Sequence, residues 1–212
     1  MLWERKKRHM NRQNPKIVKL AETALLAALC FVSFTFLQIK IPVPGGDSTS
    51  LHIGNAFCVL AALLLGGWYG GLAGAIGMTI ADIIDPIYIT VAPKTFVLKL
   101  CIGLITGLVA HKIAKINESN DKKYIFRWSL IASIAGLAFN VVADPIVGYF
   151  YKRYLLGQPQ ELADALAKMS AVATFVNAVV SVILVVFLYN AVRPALIKMN
   201  LIQAHAAEAA KN

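Results

Sequence analysis

Acidic side chains are scarce in this chain. Asp and Glu number 11 against 21 Lys and Arg in 212 residues, and charged residues of both signs make up only 15%. A soluble domain is about a quarter charged. With 58% hydrophobic residues and so few charges, the composition excludes a solvated globule and reads as an integral membrane protein. Cysteine is almost missing too. Cys30, Cys58 and Cys101 all lie in apolar runs, and an odd, buried set excludes a disulfide framework. No His or Cys pair stands at metal-ligand spacing, so no metal site is expected. The chain has no phosphate-cradling Gly-x-x-x-x-Gly-Lys pattern, so it is expected to hold no ATP itself. The net charge of +10 does not point to nucleic acid. The basic residues carry no interleaved aromatics and sit in short segments between apolar runs, as topology signals do.

Six apolar segments are legible, and the expected fold is all-α: one six-helix membrane domain over residues 1–212. A basic segment, residues 1–19, precedes the first run, Leu20 to Leu37. That run is long and lacks a small-x-small cleavage pattern, so it is expected to be a retained helix and not a signal peptide. Gln38 to Ser50 reads as a loop, because Pro42, Pro44, Gly45 and Gly46 break helices. The second run covers about Leu51 to Leu65, Gly66 to Gly71 reads as a tight turn, and the third run is Leu72 to about Ile84. Both runs are short against the roughly 20 residues a spanning helix needs. The fourth runs from about Lys94 to Ile113, the fifth from Trp128 to about Tyr151, and the sixth from about Met169 to Ala191. Arg193 and Pro194 close the last one, and residues 192–212 form a tail.

An even number of helices places both termini on one side. With the N-terminus, the 112–127 loop and the tail assigned to the cytoplasm, 15 of the 21 Lys and Arg lie there. The positive-inside rule therefore predicts both termini in the cytoplasm.

That topology gives each polar residue a depth. Asn55 and His52 fall at the outer end of helix two, Asp82 and Asp85 at the outer end of helix three, and Lys94, Thr95 and Lys99 at the outer start of helix four. Asn140 and Asp144 fall in the outer half of helix five, and Ser170, Thr174 and Asn177 in that of helix six. Intramembrane charges face a cavity or a partner. The convergence in one half of five helices therefore predicts a small-molecule site near the outer face. Asp82 and Asp85 are three apart and are expected to share a helix face, as are Asn140 and Asp144, four apart. Asp85-Pro86-Ile87 recurs as Asp144-Pro145-Ile146, and both prolines are read as helix interruptions beside the site. Tyr88 and Tyr149 follow these prolines and could stack on a ring.

Small residues recur every fourth position. Gly66, Gly70 and Gly74, Gly67 and Gly71, and Gly103 and Gly107 do so, the last pair reading as internal packing. Ala24 and Ala28 make a smooth strip on the inner half of helix one, which suggests docking below and binding above.

The stretches TALLAAL, IPVPGG, LHIGNAFCVLAALLLGGWYGGLAGAIG, ADIIDPIYITVAPKTFVLK and GLITGLVAHKI, spanning residues 23 to 113, resemble the S components of energy-coupling factor (ECF) vitamin transporters, in the riboflavin- or hydroxymethylpyrimidine-type group. The resemblance implies a non-enzymatic, substrate-binding subunit in a bacterial plasma membrane. It implies docking through Ala24 and Ala28 to a transmembrane coupling subunit with two ATPases, which would use the ATP. It makes the loop with Pro42, Pro44, Gly45 and Gly46 a gate. Asn55, Asp82, Tyr88, Lys99, Asn140, Asp144, Tyr149 and Asn177 would then hold the vitamin. A small polar ring, pyridoxine- or hydroxymethylpyrimidine-like, fits this set best; riboflavin, pantothenate and a cobalamin-type ligand stay open. Two other classes account for less of the sequence. An intramembrane enzyme would use the carboxylates as an acid–base pair, but the Gly-x-Gly-Asp pattern of such proteases is missing. A structural scaffold would explain the glycines and leave the polar clustering without a cause.

Overall fold

A computed structural model describes residues 15–43 and 47–198. Six α-helices and one hairpin are found among them: α1 (Pro15–Phe36), β1 (Gln38–Val43), β2 (Asp47–His52), α2 (Gly54–Leu65), α3 (Gly67–Ile84), α4 (Ala92–Gly107), α5 (Lys122–Phe150) and α6 (Gln160–Lys198). Wider turns extend α4 over Leu108–Ile113 and α5 over Tyr151–Leu155. Four stretches are long and apolar enough to cross a bilayer: Lys16–Phe36, Ile89–Ile113, Lys122–Leu155 and Gln160–Lys198. The shortness of the second and third apolar runs persists. At 1.5 Å per residue, α2 with 12 residues is about 18 Å long and α3 with 18 residues about 27 Å. The shorter α2 lies inside the bundle, with ten of its twelve residues buried, whereas α3 buries nine of its eighteen.

Glycine sets the spacing of the central helices. The expected turn from Gly66 to Gly71 is reduced to Gly66 alone, with φ of 88°. Gly67, Gly70 and Gly71 are helical, and their lack of a side chain serves packing. A Cβ on Gly70 would sit 2.2 Å from the Ala62 backbone, one on Gly103 2.2 Å from Gly71 Cα, and one on Gly107 2.1 Å from Gly67 N. The helices α3 and α4 therefore touch backbone to backbone, the small-residue geometry of membrane helix pairs.

Three further expectations are corrected. Gln38 to Ser50 is no irregular loop: β1 and β2 pair antiparallel from Gln38 with His52 to Val43 with Asp47. Pro42 sits within β1, and Pro44, Gly45 and Gly46 lie outside the described residues. Pro145 does not interrupt α5, which continues to Phe150. A proline removes one donor, and buried neighbours hold the rest of the helix. Nor does Pro194 close α6. That helix starts nine residues before Met169, on the amphipathic stretch ELADALAKM with Ala163 and Leu166 buried, and passes Pro194 to Lys198. Arg193 donates to the Ile116 carbonyl at 3.1 Å, tying α6 to the α4–α5 loop.

Candidate functional site

At the hairpin end of the bundle the elements enclose a cavity of about 120 Å³. Phe34 of α1, Ser48 to Ser50 and His52 of β2, Asn55 of α2, and Met78 and Asp82 of α3 line one side. Tyr88, Lys94, Thr95, Lys99, Asn140, Asp144, Gly148, Ser170, Thr174 and Asn177 complete the lining.

The most ordered wall is an ionic cluster. Lys94 Nζ donates to Asp144 Oδ1 at 2.8 Å. Asp144 Oδ2 accepts from the Ser170 hydroxyl and, at 3.3 Å, from Thr174. Three residues from α4 and α6 thus converge on the one carboxylate that α5 supplies. Gly148, one turn past Asp144 on α5, lies beside the ammonium: a Cβ there would meet Lys94 Nζ at 3.5 Å, an ordinary contact.

The floor is different. Lys99, 7% exposed, donates to Asn55 Oδ1 at 2.9 Å, and Asn55 is 1% exposed. Asp82 is 2% exposed, and its Oδ2 has no hydrogen-bond partner; the same holds for Asn140 Oδ1 and for His52 Nδ1. Buried polar groups in native proteins are almost always paired. Three bare polar atoms around one cavity therefore leave hydrogen-bonding capacity there that no described residue uses.

The hairpin forms the roof. Asn177 of α6 holds β2 from both sides, accepting from His52 N and donating to Ser50 O, each at 3.0 Å. Ser48 donates to the Tyr88 hydroxyl at 2.8 Å, and Lys40 pairs with Asp85. Phe34 meets the His52 ring edge-on at 4.6 Å between centroids. Burial, with Lys99 nearby, pushes the His52 imidazole down to about 3, so it is neutral at pH 7. The unfolded chain titrates near 6.5. Between those values the unfolded state binds the extra proton, so stability is complete above 6.5 and declines as the pH falls below it. A lower melting temperature at pH 5 than at pH 7 is expected, and the gap should shrink in His52→Gln. An equal gap in the variant would mean the imidazole is not held neutral.

Seven of the eight side chains expected to hold the ligand line this cavity; Tyr149 does not and packs on Phe150. Asp85 also separates from Asp82. It is the residue that ends α3, and its Oδ1 accepts from Ile87 N. Lys94, Ser170 and Thr174 were grouped with the site by depth, but their meeting on the Asp144 carboxylate and the place of strand residues 48–50 in the lining were not foreseen from sequence. The four-residue spacing of Ser170 and Thr174 was the available signal. Ala24 and Ala28 are exposed on α1.

Residues 14–194 match the family described as "ECF-type riboflavin transporter, S component". The chain belongs to that family. Its members are membrane-embedded transport subunits and not enzymes. A solved structure of ThiT from Listeria monocytogenes shares the fold, with a TM-score of 0.60 at 17% identity over 84% of this S component and 96% of that chain. An uncharacterized protein from Pyrococcus woesei is 36% identical over 76 residues, which are 36% of this S component and 49% of the relative. The S component thus spans about half the length of that curated relative.

Proposed function

We propose that this protein captures a small ring-containing vitamin or vitamin precursor in the hairpin-covered cavity and delivers it inward as the binding subunit of an ATP-driven ECF importer. The observation that carries this reading is the set of bare, buried polar atoms on Asp82, Asn140 and His52 around one cavity. The cavity's size favours a pyridoxine- or hydroxymethylpyrimidine-like compound over riboflavin or a cobalamin-type ligand, which are much larger, and pantothenate has no ring to lie against Phe34, Met78 and Tyr88. In this reading Asn55, Asp82, Tyr88, Lys99, Asn140, Asp144 and Asn177 contact or frame the ligand. The hairpin with Pro42 is the gate, both termini are cytoplasmic, and the protein sits in a bacterial plasma membrane. The partners are a transmembrane coupling subunit and two ATPases.

Identification of what the purified protein carries tests this directly. A stoichiometric vitamin or precursor released on denaturation and identified by mass spectrometry is the expected result. A protein from vitamin-rich medium that carries nothing and binds no vitamin in titration overturns the reading.

Docking has its own test. The exposed face Ala21, Ala24, Leu25 and Ala28 of α1 is smooth enough for another helix to approach closely. Ala24→Trp or Ala28→Trp is expected to lower uptake by cells expressing the whole importer by about 10-fold or more, since overpacking a helix contact costs about 1–3 kcal/mol. Ligand affinity of the isolated subunit should stay within about twofold, the scale of a surface change. Unchanged uptake would remove α1 from the interface.

A further inference from the structure

The charges that line the cavity are not evenly paired. Lys94 and Asp144 neutralise each other across 2.8 Å. Lys99 and Asp82 do not: they form no ion pair with each other or with any other described residue, although both are buried at the same cavity. Lys99 uses one donor on the Asn55 amide and has two more N–H groups. Asp82 has one bare oxygen. A buried charge without a counter-charge is costly. Here two opposite charges stand apart, each with unused hydrogen-bonding capacity, on helices whose spacing is locked by the Gly71–Gly103 contact.

A ligand neutral at both ends would leave both charges unpaired. A ligand of net charge would satisfy one and repel the other. The complementary molecule is neutral overall and charge-separated, with a protonated nitrogen at one edge and an oxyanion at another. The space limits it to one ring, with Phe34, Met78 and Tyr88 as apolar walls. The bare acceptors on Asn140 and His52 suit hydroxyl substituents.

We propose that the cavity selects a single-ring heterocycle in its zwitterionic form, the protonated ring nitrogen donating to Asp82 and the ring oxyanion accepting from Lys99. This rests on the transport reading above and narrows it. Hydroxypyridines meet the requirement because the acidic ring hydroxyl can pass its proton to the ring nitrogen. Aminopyrimidine alcohols do not, because they have no acidic hydroxyl to ionise.

Titration calorimetry on the purified full chain with pyridoxine, 3-deoxypyridoxine, 4-amino-5-hydroxymethyl-2-methylpyrimidine and riboflavin tests the inference, in wild type and in Lys99→Met. Removing one partner of a charge-assisted hydrogen bond weakens binding by about 10- to 100-fold. Wild type is therefore expected to bind pyridoxine about 10- to 100-fold more tightly than 3-deoxypyridoxine. Lys99→Met should lose that preference, binding the two pyridines with similar affinity, and a cooperative thermal unfolding transition shows that the variant is folded. Asp82→Asn should weaken pyridoxine by a similar factor. If the aminopyrimidine or riboflavin binds more tightly than pyridoxine, or if 3-deoxypyridoxine matches pyridoxine, the zwitterion inference fails and the vitamin-binding reading stands. If no vitamin or precursor binds, both fail.

Discussion

Gly103→Leu is expected to prevent stable folding of the membrane domain, and Gly103→Ala to lower its melting temperature strongly. The first atom of either side chain would lie 2.2 Å from Gly71 Cα and 2.4 Å from Gly71 N. Both are backbone atoms, so no rotamer change relieves the clash and the two helices must separate. Overpacking in a close-packed core costs about 1–3 kcal/mol and more where the backbone cannot yield; a loss of about 3 kcal/mol or more is expected for alanine. The contact also has a functional consequence. Asp82 ends up on α3 and Lys99 on α4, so the seam that sets the interhelical distance also sets the separation of the two unpaired charges. Detergent-solubilised Gly103→Ala should therefore bind ligand less well than Ala substitution at the lipid-facing Val97, which is 58% exposed. Equal melting temperatures for Gly103→Ala and wild type would show that the helices can part without cost.

The glycine pattern was legible in the sequence because spacing alone reports it. The convergence of polar residues was legible for a related reason: bilayer depth follows from topology, and depth groups side chains that are far apart in the chain. Depth carries no azimuth, and that is where the reading of Tyr149 failed. Asn140, Asp144 and Gly148 are spaced by four and present one face of α5, whereas Tyr149 lies about 100° further round the helix and turns away from the cavity. The hairpin was hidden by its own breakers. Two prolines and two glycines in QIKIPVPGGDSTS outweigh the alternation in QIKIPV, and an isolated two-stranded ribbon is marginal in stability. It persists through contacts that no local pattern encodes, above all the two hydrogen bonds from Asn177 across 125 and 127 residues. The early start of α6 was missed because hydropathy was weighed over periodicity. ELADALAKM is too polar to read as a spanning run, yet it buries Ala163 and Leu166 on one side.

Asp144→Ala is expected to cause the largest loss of any cavity substitution, in both stability and binding. The Lys94 and Asp144 side chains are only 12% and 16% exposed. Truncating the carboxylate leaves a desolvated ammonium, and breaking a buried pair from one side costs about 3–5 kcal/mol. It also frees Ser170 and Thr174 from their shared acceptor, so the wall formed by α4, α5 and α6 loosens together. Asp144→Asn keeps the shape and one acceptor oxygen, and it should lose less, about 1–2 kcal/mol. The double variant Lys94→Met with Asp144→Leu separates charge from packing. It removes both desolvation costs, so its melting temperature should recover most of what Asp144→Ala loses, as apolar replacements of buried pairs do elsewhere. Its vitamin affinity should stay depressed by about 10-fold or more, because an apolar wall no longer orients Ser170 and Thr174 toward the cavity. Recovery of both stability and affinity would make the ion pair a packing element that the ligand never senses. Recovery of neither would mean that Lys94 and Asp144 are needed for folding as a charged pair, and not merely as a filled space between three helices.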